Sequence, residues 1–192
     1  METALEPLPK GDNEMRLLDK ITAKRIRDGD AEAFEEFIHK HQDKLFNYCL
    51  RLVGNFHIAE ELAQETFLKF YRSIASYDYK KAGLTTWLFR IARNTCLNHL
   101  RDDVHDWTCE TGELPCITES PEDLYLAAEE HRELFLALQK LSLEGREMIL
   151  MKDYLGFSCR ELASIFQIPT GTVKSRLHNL RGRLRELIGD EI

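Results

Sequence analysis

Two stretches of this sequence set nucleic-acid-binding side chains at helical spacing. Between Leu84 and Arg101, Trp87, Arg90, Asn94, Asn98 and Arg101 fall on one side of a helix with Arg93 beside them. Leu84, Leu88, Ile91, Ala92 and Thr95 fall on the other. A large aromatic among arginines and amides can stack on an unpaired base and neutralise its backbone. Stacking is worth about 1–3 kcal/mol per base, comparable with the cost of drawing one base out of a duplex. Tyr77, Tyr79, Lys80 and Lys81 just upstream add rings and cations. Trp87 alone would more often be a core tryptophan; its company favours the stacking role.

The second stretch has the pattern expected of a duplex-DNA reader. Ser158 caps a short helix and Glu161, three residues on, completes a capping box. Leu162, Ile165 and Phe166 form its buried face, Gln167-Ile168-Pro169 breaks the run, and Thr170-Gly171-Thr172 starts another helix. Val173, Leu177, Leu180, Leu184 and Leu187 repeat along that helix as an apolar stripe. Its opposite face carries Lys174, Ser175, His178 and Asn179, with Arg181, Arg183 and Arg185 further along. In a helix-turn-helix such a face sits in the major groove, short polar residues on base edges and arginines on phosphates. A solvated face on a protein-packing scaffold is the plainer alternative. The near absence of acids disfavours it.

A third surface is of another kind. On the helix that begins near Ile58, Ala59, Leu62, Ala63, Thr66, Phe67, Phe70 and Ile74 share the core side, and Glu61, Gln64, Glu65 and Leu68 lie opposite. An acidic patch with one apolar member suits a basic protein partner better than DNA, although by spacing alone a plain solvated helix surface fits about as well. Glu60, Glu61, Glu65 and His57 do not form a helical carboxylate metal centre, because the inward ExxH pairing is missing. No glycine-rich phosphate loop or nucleophile elbow occurs, so no catalytic function is expected.

Charge is unevenly placed. The net charge is −7, but ten of the 33 acidic residues lie between Asp102 and Glu130, where there is no Lys or Arg. The remainder carries 26 basic residues against 23 acidic. From Ser158 to Arg185 six basic residues face one acid, Glu161, and a local basic face matters more than the global sum. Five cysteines (Cys49, Cys96, Cys109, Cys116, Cys159) show no framework and read as small hydrophobes in a reducing compartment. His105, Cys109 and Cys116 lack a CxxC pair, so neither a metal nor any other cofactor is expected. Met1 to Lys10 has no basic lead or apolar core, and no run approaches the ~20 apolar residues of a membrane span, so a cytoplasmic protein without membrane insertion is expected.

The elements that must carry these surfaces are all helical. Periodicity predicts helices near 20–28, 31–53, 58–76 and 84–101, punctuated by Gly29-Asp30, Gly54-Asn55 and Lys81-Ala82-Gly83. Residues 1–19 read as a loosely ordered acidic lead and 102–121 as a flexible acidic linker. A second block follows at 122–141, 143–155, 158–166 and 170–188, opened by Ser120-Pro121-Glu122. The fold class is all-α: two small helical domains, 20–101 and 122–192, on a tether. A helix-turn-helix regulator acting alone would need a dimer face to read two half-sites, and no spare apolar face offers one.

Three segments, in this order, resemble the extracytoplasmic-function (ECF) group of bacterial sigma factors. Ala59-Glu60-Glu61-Leu62-Ala63-Gln64-Glu65-Thr66-Phe67-Leu68 is similar to the polymerase-binding motif of its region two. Thr85-Thr86-Trp87-Leu88-Phe89-Arg90-Ile91-Ala92-Arg93-Asn94 is similar to its promoter-melting motif. Ile168-Pro169-Thr170-Gly171-Thr172-Val173-Lys174-Ser175-Arg176-Leu177 is similar to the recognition helix of its region four. The resemblance implies that Glu61, Gln64, Glu65 and Leu68 dock on the clamp helices of the largest polymerase subunit, with a further contact to the flap. It places Trp87 and Asn94, with Tyr77, Lys80, Arg90 and Arg93, at the −10 element, where a non-template base is flipped out. Thr172, Lys174, Ser175, His178, Asn179 and Arg181 match positions at the −35 element. Asn179 stands where relatives often carry Arg, which removes a bidentate guanine contact. The linker resembles a segment threaded through the polymerase, and members are commonly held inactive by an anti-sigma factor.

Overall fold

The computed structural model describes the backbone of residues 10–102, 134, 136–138 and 140–189, and the side chains of these except 10–16 and 102. They fall into two compact units. Residues 10–50 and 56–102 belong to the first, and 140–189 to the second, which also takes 51–55. Among the described residues there is no strand, as the helical periodicity predicts.

In the first unit four helices form a bundle: α1 (Lys10–Arg27), α2 (Ala31–Val53), α3 (Phe56–Ser73) and α4 (Leu84–Asp102). A single 3₁₀ turn, Ile74–Ser76, finishes what the sequence suggests is one helix to residue 76. Gly29 and Gly54 adopt φ of +90° and +68°, conformations that favour glycine and end α1 and α2 where the sequence places breaks. The core is aliphatic and aromatic. Ile26, Leu45, Tyr48, Phe70, Leu84, Leu88 and Phe89 are almost wholly buried. Cys49 and Cys96 are free buried thiols with Sγ atoms 3.7 Å apart, filling the α2–α4 seam as small hydrophobes.

The first helix departs from expectation. It begins at Lys10, so the second half of the supposed loose lead is helical. Lys24, Arg25 and Arg27 in its last turn complement the helix dipole. Ala23 and Ile26 anchor its far end in the core, and the Asp19 carboxylate accepts the Leu84 N–H (2.8 Å). Residues 1–9, the linker 103–121, the Ser120-Pro121-Glu122 start signal, and His105, Cys109 and Cys116 lie outside the described residues.

The second unit contains α5 (Leu143–Ile149), α6 (Cys159–Phe166) and α7 (Thr170–Gly189), preceded by helical residues at 134 and 136–138. The helix expected at 143–155 switches to a π turn at Leu150–Tyr154. Ser158 Oγ accepts from Glu161 N–H (3.2 Å) and Glu161 Oε2 from Ser158 N–H (2.8 Å), the reciprocal cap predicted from their spacing. Gln167 takes the left-handed conformation (φ 56°) that ends α6, and the amides of Gln167 and Ile168 both donate to Ala163 O. Both α5 and α6 pack on α7. A Cβ at Gly145 would fall 2.6 Å from Leu180 Cδ2, so any larger residue there pushes Leu180 aside.

One buried polar group constrains the first unit. His41 on α2 is 6% exposed, with its ring 4.5 Å from that of Phe37 and Nε2 3.5 Å from Thr85 Oγ1. Burial, reinforced by the nearby charges of Lys40 and Lys44, lowers its pKa from 6.5 to about 4. Between these values the unfolded chain binds a proton that the folded chain refuses, so stability falls as pH drops from 6.5 toward 4. The expected loss between pH 7 and 5 is about 2 kcal/mol from this residue. Urea titrations at both pH values should show that loss shrink by this amount in His41→Gln. An unchanged pH dependence would contradict the burial argument.

Candidate nucleic-acid interface

The first surface is built outward from Phe70. This ring is fully buried on α3 and stacks on Phe37 (4.6 Å, interplanar 12°). Trp87 of α4 also packs against it, 5.2 Å away, and Trp87 in turn meets Tyr77 at 5.3 Å. Trp87 is therefore half-buried rather than fully projecting, a correction to the helical-wheel reading. Its inner side leans on the core aromatic while its outer side reaches solvent. Asn94, seven residues on, is exposed on the same face, as are Asn98 and Arg101, which bond each other. Arg90 and Arg93 are half-exposed, and so is Ile91, expected to point inward. Thr86, Phe89 and Cys96 add to the buried side, which is broader than the sequence stripe suggested.

The loop before α4 is held from within. Tyr77 donates its hydroxyl to Ala82 O (2.9 Å), Asp78 Oδ1 accepts from Lys80 N–H (3.0 Å), and Asp78 O accepts from Lys81 N–H (3.0 Å). These bonds fold Tyr77–Gly83 into a compact turn on which Lys80 and Lys81 are exposed. The arrangement offers a ring, amides and cations together, the set that binds single-stranded nucleic acid.

The second surface lies on α3. Ala59, Leu62, Ala63, Thr66, Phe67, Phe70 and Ile74 are buried, and Glu61, Gln64, Glu65 and Leu68 are exposed, as their spacing predicts. Leu68 is 54% exposed, a large apolar side chain without cover among the described residues. Glu65 pairs with Lys69 (2.8 Å), whose Nζ also donates to Thr95 Oγ1 (3.2 Å). Glu61 has no ion pair among the described residues, which leaves its charge available to a partner.

The third surface is the outer face of α7. Val173 and Leu177 are buried, and Lys174, Ser175, His178 and Asn179 are exposed; Thr172 is half-exposed. Ser175 donates its hydroxyl to Thr172 O (3.0 Å), so its lone pairs remain outward. Leu180, Leu184 and Leu187, expected in the core, are only half-buried, because the apolar stripe runs beyond the helices that cover its start. Two cations are already engaged. Arg176 donates to Glu144 of α5 (2.5 Å), and Arg181 donates to both carboxylate oxygens of Asp153 in the π turn, Nε reaching Oδ2 at 3.3 Å. That partner raises the Arg181 pKa further. The structure thus turns Arg181 toward Asp153 and leaves Lys174, Arg183 and Arg185 as the unpaired cations of α7 among the described residues. Sequence reading missed both acids, which lie 32 and 28 residues from their arginines with no periodic signal linking them.

Comparison with known proteins decides what these surfaces belong to. The family described as Sigma-70 region 2 matches residues 37–106, and Sigma-70, region 4 matches residues 131–184. The chain is 30% identical over 187 residues to the ECF RNA polymerase sigma factor SigW of Bacillus subtilis, covering 92% of this chain and 100% of that one. The chain belongs to the ECF sigma factors. It is also 33% identical over 175 residues to the RNA polymerase sigma-H factor of Pseudomonas aeruginosa, covering 85% of this chain and 90% of the relative. Among solved structures it is similar to the sigma factor RpoE in complex with the anti-sigma factor NepR from Bartonella quintana. There the TM-score is 0.67 and the identity 26%, with 83% of this chain and 98% of that one covered. As an ECF sigma factor the chain directs RNA polymerase in promoter-specific transcription initiation.

The Arg181–Asp153 pair generates a measurable expectation. Asp153→Asn should release one cation on α7, tightening binding of holoenzyme to duplex −35 DNA and steepening the slope of log affinity against log salt by about 0.9. An unchanged slope would mean that Arg181 does not reach phosphate even when released.

Proposed function

We propose that this sigma factor divides its work among the three surfaces. Glu61, Gln64, Glu65 and Leu68 dock on the clamp helices of the largest polymerase subunit, where acidic charge meets a basic partner and Leu68 gains cover. Trp87 and Asn94, with Tyr77, Lys80, Arg90 and Arg93, capture a base unstacked from the −10 element. Thr172, Lys174, Ser175, His178 and Asn179 lie over base edges of the −35 duplex, with Arg181 beside them and drawn back from phosphate by Asp153. Region two spans residues 20–101 and region four 122–192, the second also touching the polymerase flap. The chain has no catalytic chemistry of its own and works in the cytoplasm. No helix among the described residues is long and apolar enough to cross a membrane.

The observation that carries this reading is Trp87 seated between Phe70 and Tyr77, half open to solvent, with Asn94 exposed one heptad along. A ring held so firmly meets a flipped base without losing side-chain freedom on binding. Control by an anti-sigma protein has support from the RpoE neighbour, which was solved with one.

Reconstituting the full chain with core enzyme and mapping transcripts tests the whole proposal; failure to initiate at any defined sequence would end it. Glu61→Lys should weaken core binding more than about a hundredfold by setting like charges together, with the helical content intact. Unchanged assembly would refute the docking face. Trp87→Ala and Asn94→Ala should slow open-complex formation while core affinity stays near wild type, and equal losses in both measurements would contradict the melting role.

A further inference from the structure

Helices need their first amides capped, and α4 starts without a side chain to do it. Gly83 occupies the position just before the helix, and Gly has no side-chain acceptor. The cap comes instead from α1: Asp19 Oδ2 accepts the N–H of Leu84, the first residue of α4, at 2.8 Å across 65 positions of sequence. A Cβ on Gly83 would lie 3.3 Å from the same oxygen, so the loop passes close beside this carboxylate. Lys20, the next residue, sets its Nζ 4.9 Å from the centre of the Tyr79 ring. Two consecutive residues of α1 therefore touch the middle and the end of the Tyr77–Gly83 loop.

Trp87 lies in the first turn that this cap secures, its own N–H donating to Gly83 O (2.9 Å). The first turn of a helix frays when its amides lack partners, and a frayed turn would release the ring from Phe70 and Tyr77. We propose that Asp19 is a positioning residue for promoter opening. Through the Leu84 amide it locks the first turn of α4, and with it the orientation of Trp87 and its neighbouring loop, before the −10 strand arrives. The inference rests on the assignment of Trp87 to the melted strand and extends it to a helix outside the matched region-two segment.

The test uses the full chain loaded on core polymerase, with opening followed by permanganate reactivity of unpaired thymines at a promoter that the wild-type chain uses. Asp19→Ala removes the acceptor and should slow opening about three- to tenfold with core affinity unchanged. Asp19→Asn loses the same charge but keeps a carbonyl acceptor, and should restore the rate to within about twofold of wild type. Equal defects in the two variants would mean that charge, not capping, matters, and would overturn the proposal. A parallel loss of core binding in Asp19→Ala would overturn it too, as a general structural role. Trp87→Ala is measured alongside. If Trp87→Ala opens normally, the stacking assignment falls and takes this inference with it. If Trp87→Ala is slow and Asp19→Ala is not, only this inference falls.

Discussion

The contact between Phe70 and Trp87 joins the core of region two to its working surface. Phe70 has no freedom of its own, being enclosed by Phe37 and the aliphatic residues of the bundle. A tryptophan leaning on it at 5.2 Å inherits that rigidity on one side and stays open on the other. Aromatic pairs of this kind add about 0.5–1.5 kcal/mol beyond area burial. That is enough to fix a ring and too little to bury it. A fully buried Trp87 would leave a strand no ring to stack on, and a fully exposed one would have to be ordered at the moment of binding.

Around that contact the first unit is organised to hold α4 and its loop in one position. Tyr77 closes the loop through Ala82 and also touches Trp87, so one side chain serves both the backbone and the ring. His41 sits behind the same segment beside Thr85, kept neutral by its burial. The acidic face of α3 is displayed by the same helix that buries Phe70, since residues three and four apart share a face and one such set lies in the core while the other meets solvent. One helix thus supplies the platform for the proposed DNA face and the whole of the proposed polymerase face.

Electrostatics in region four follow a different economy from the global net charge of −7. Acids placed on α5 and in the π turn engage Arg176 and Arg181, orienting two side chains that would otherwise extend freely into solvent. Exposed pairs like these contribute little to stability, so their effect lies in where the guanidinium groups are held. In the proposed promoter complex the cations at Lys174, Arg183 and Arg185, unpaired among the described residues, are where phosphate would be most strongly drawn.

The sequence by itself determined the helical class, the capping box at Ser158 and Glu161, the two sides of α3 and the exposed face at the start of α7. Each of these depends on neighbours within about one or two turns, where spacing dictates direction. It also carried the three motifs from which the family could be inferred before any coordinates. Tertiary structure alone decided the rest. That Trp87 is half-buried depends on Phe70 and Tyr77, that Arg181 is engaged depends on Asp153, and that the first amide of α4 has an acceptor depends on Asp19. The end of the apolar stripe at Leu184 and Leu187 stays half-exposed because α7 outruns its neighbours. All of these are set by partners distant along the chain, and the periodicity of one segment holds no information about which residue of another will meet it.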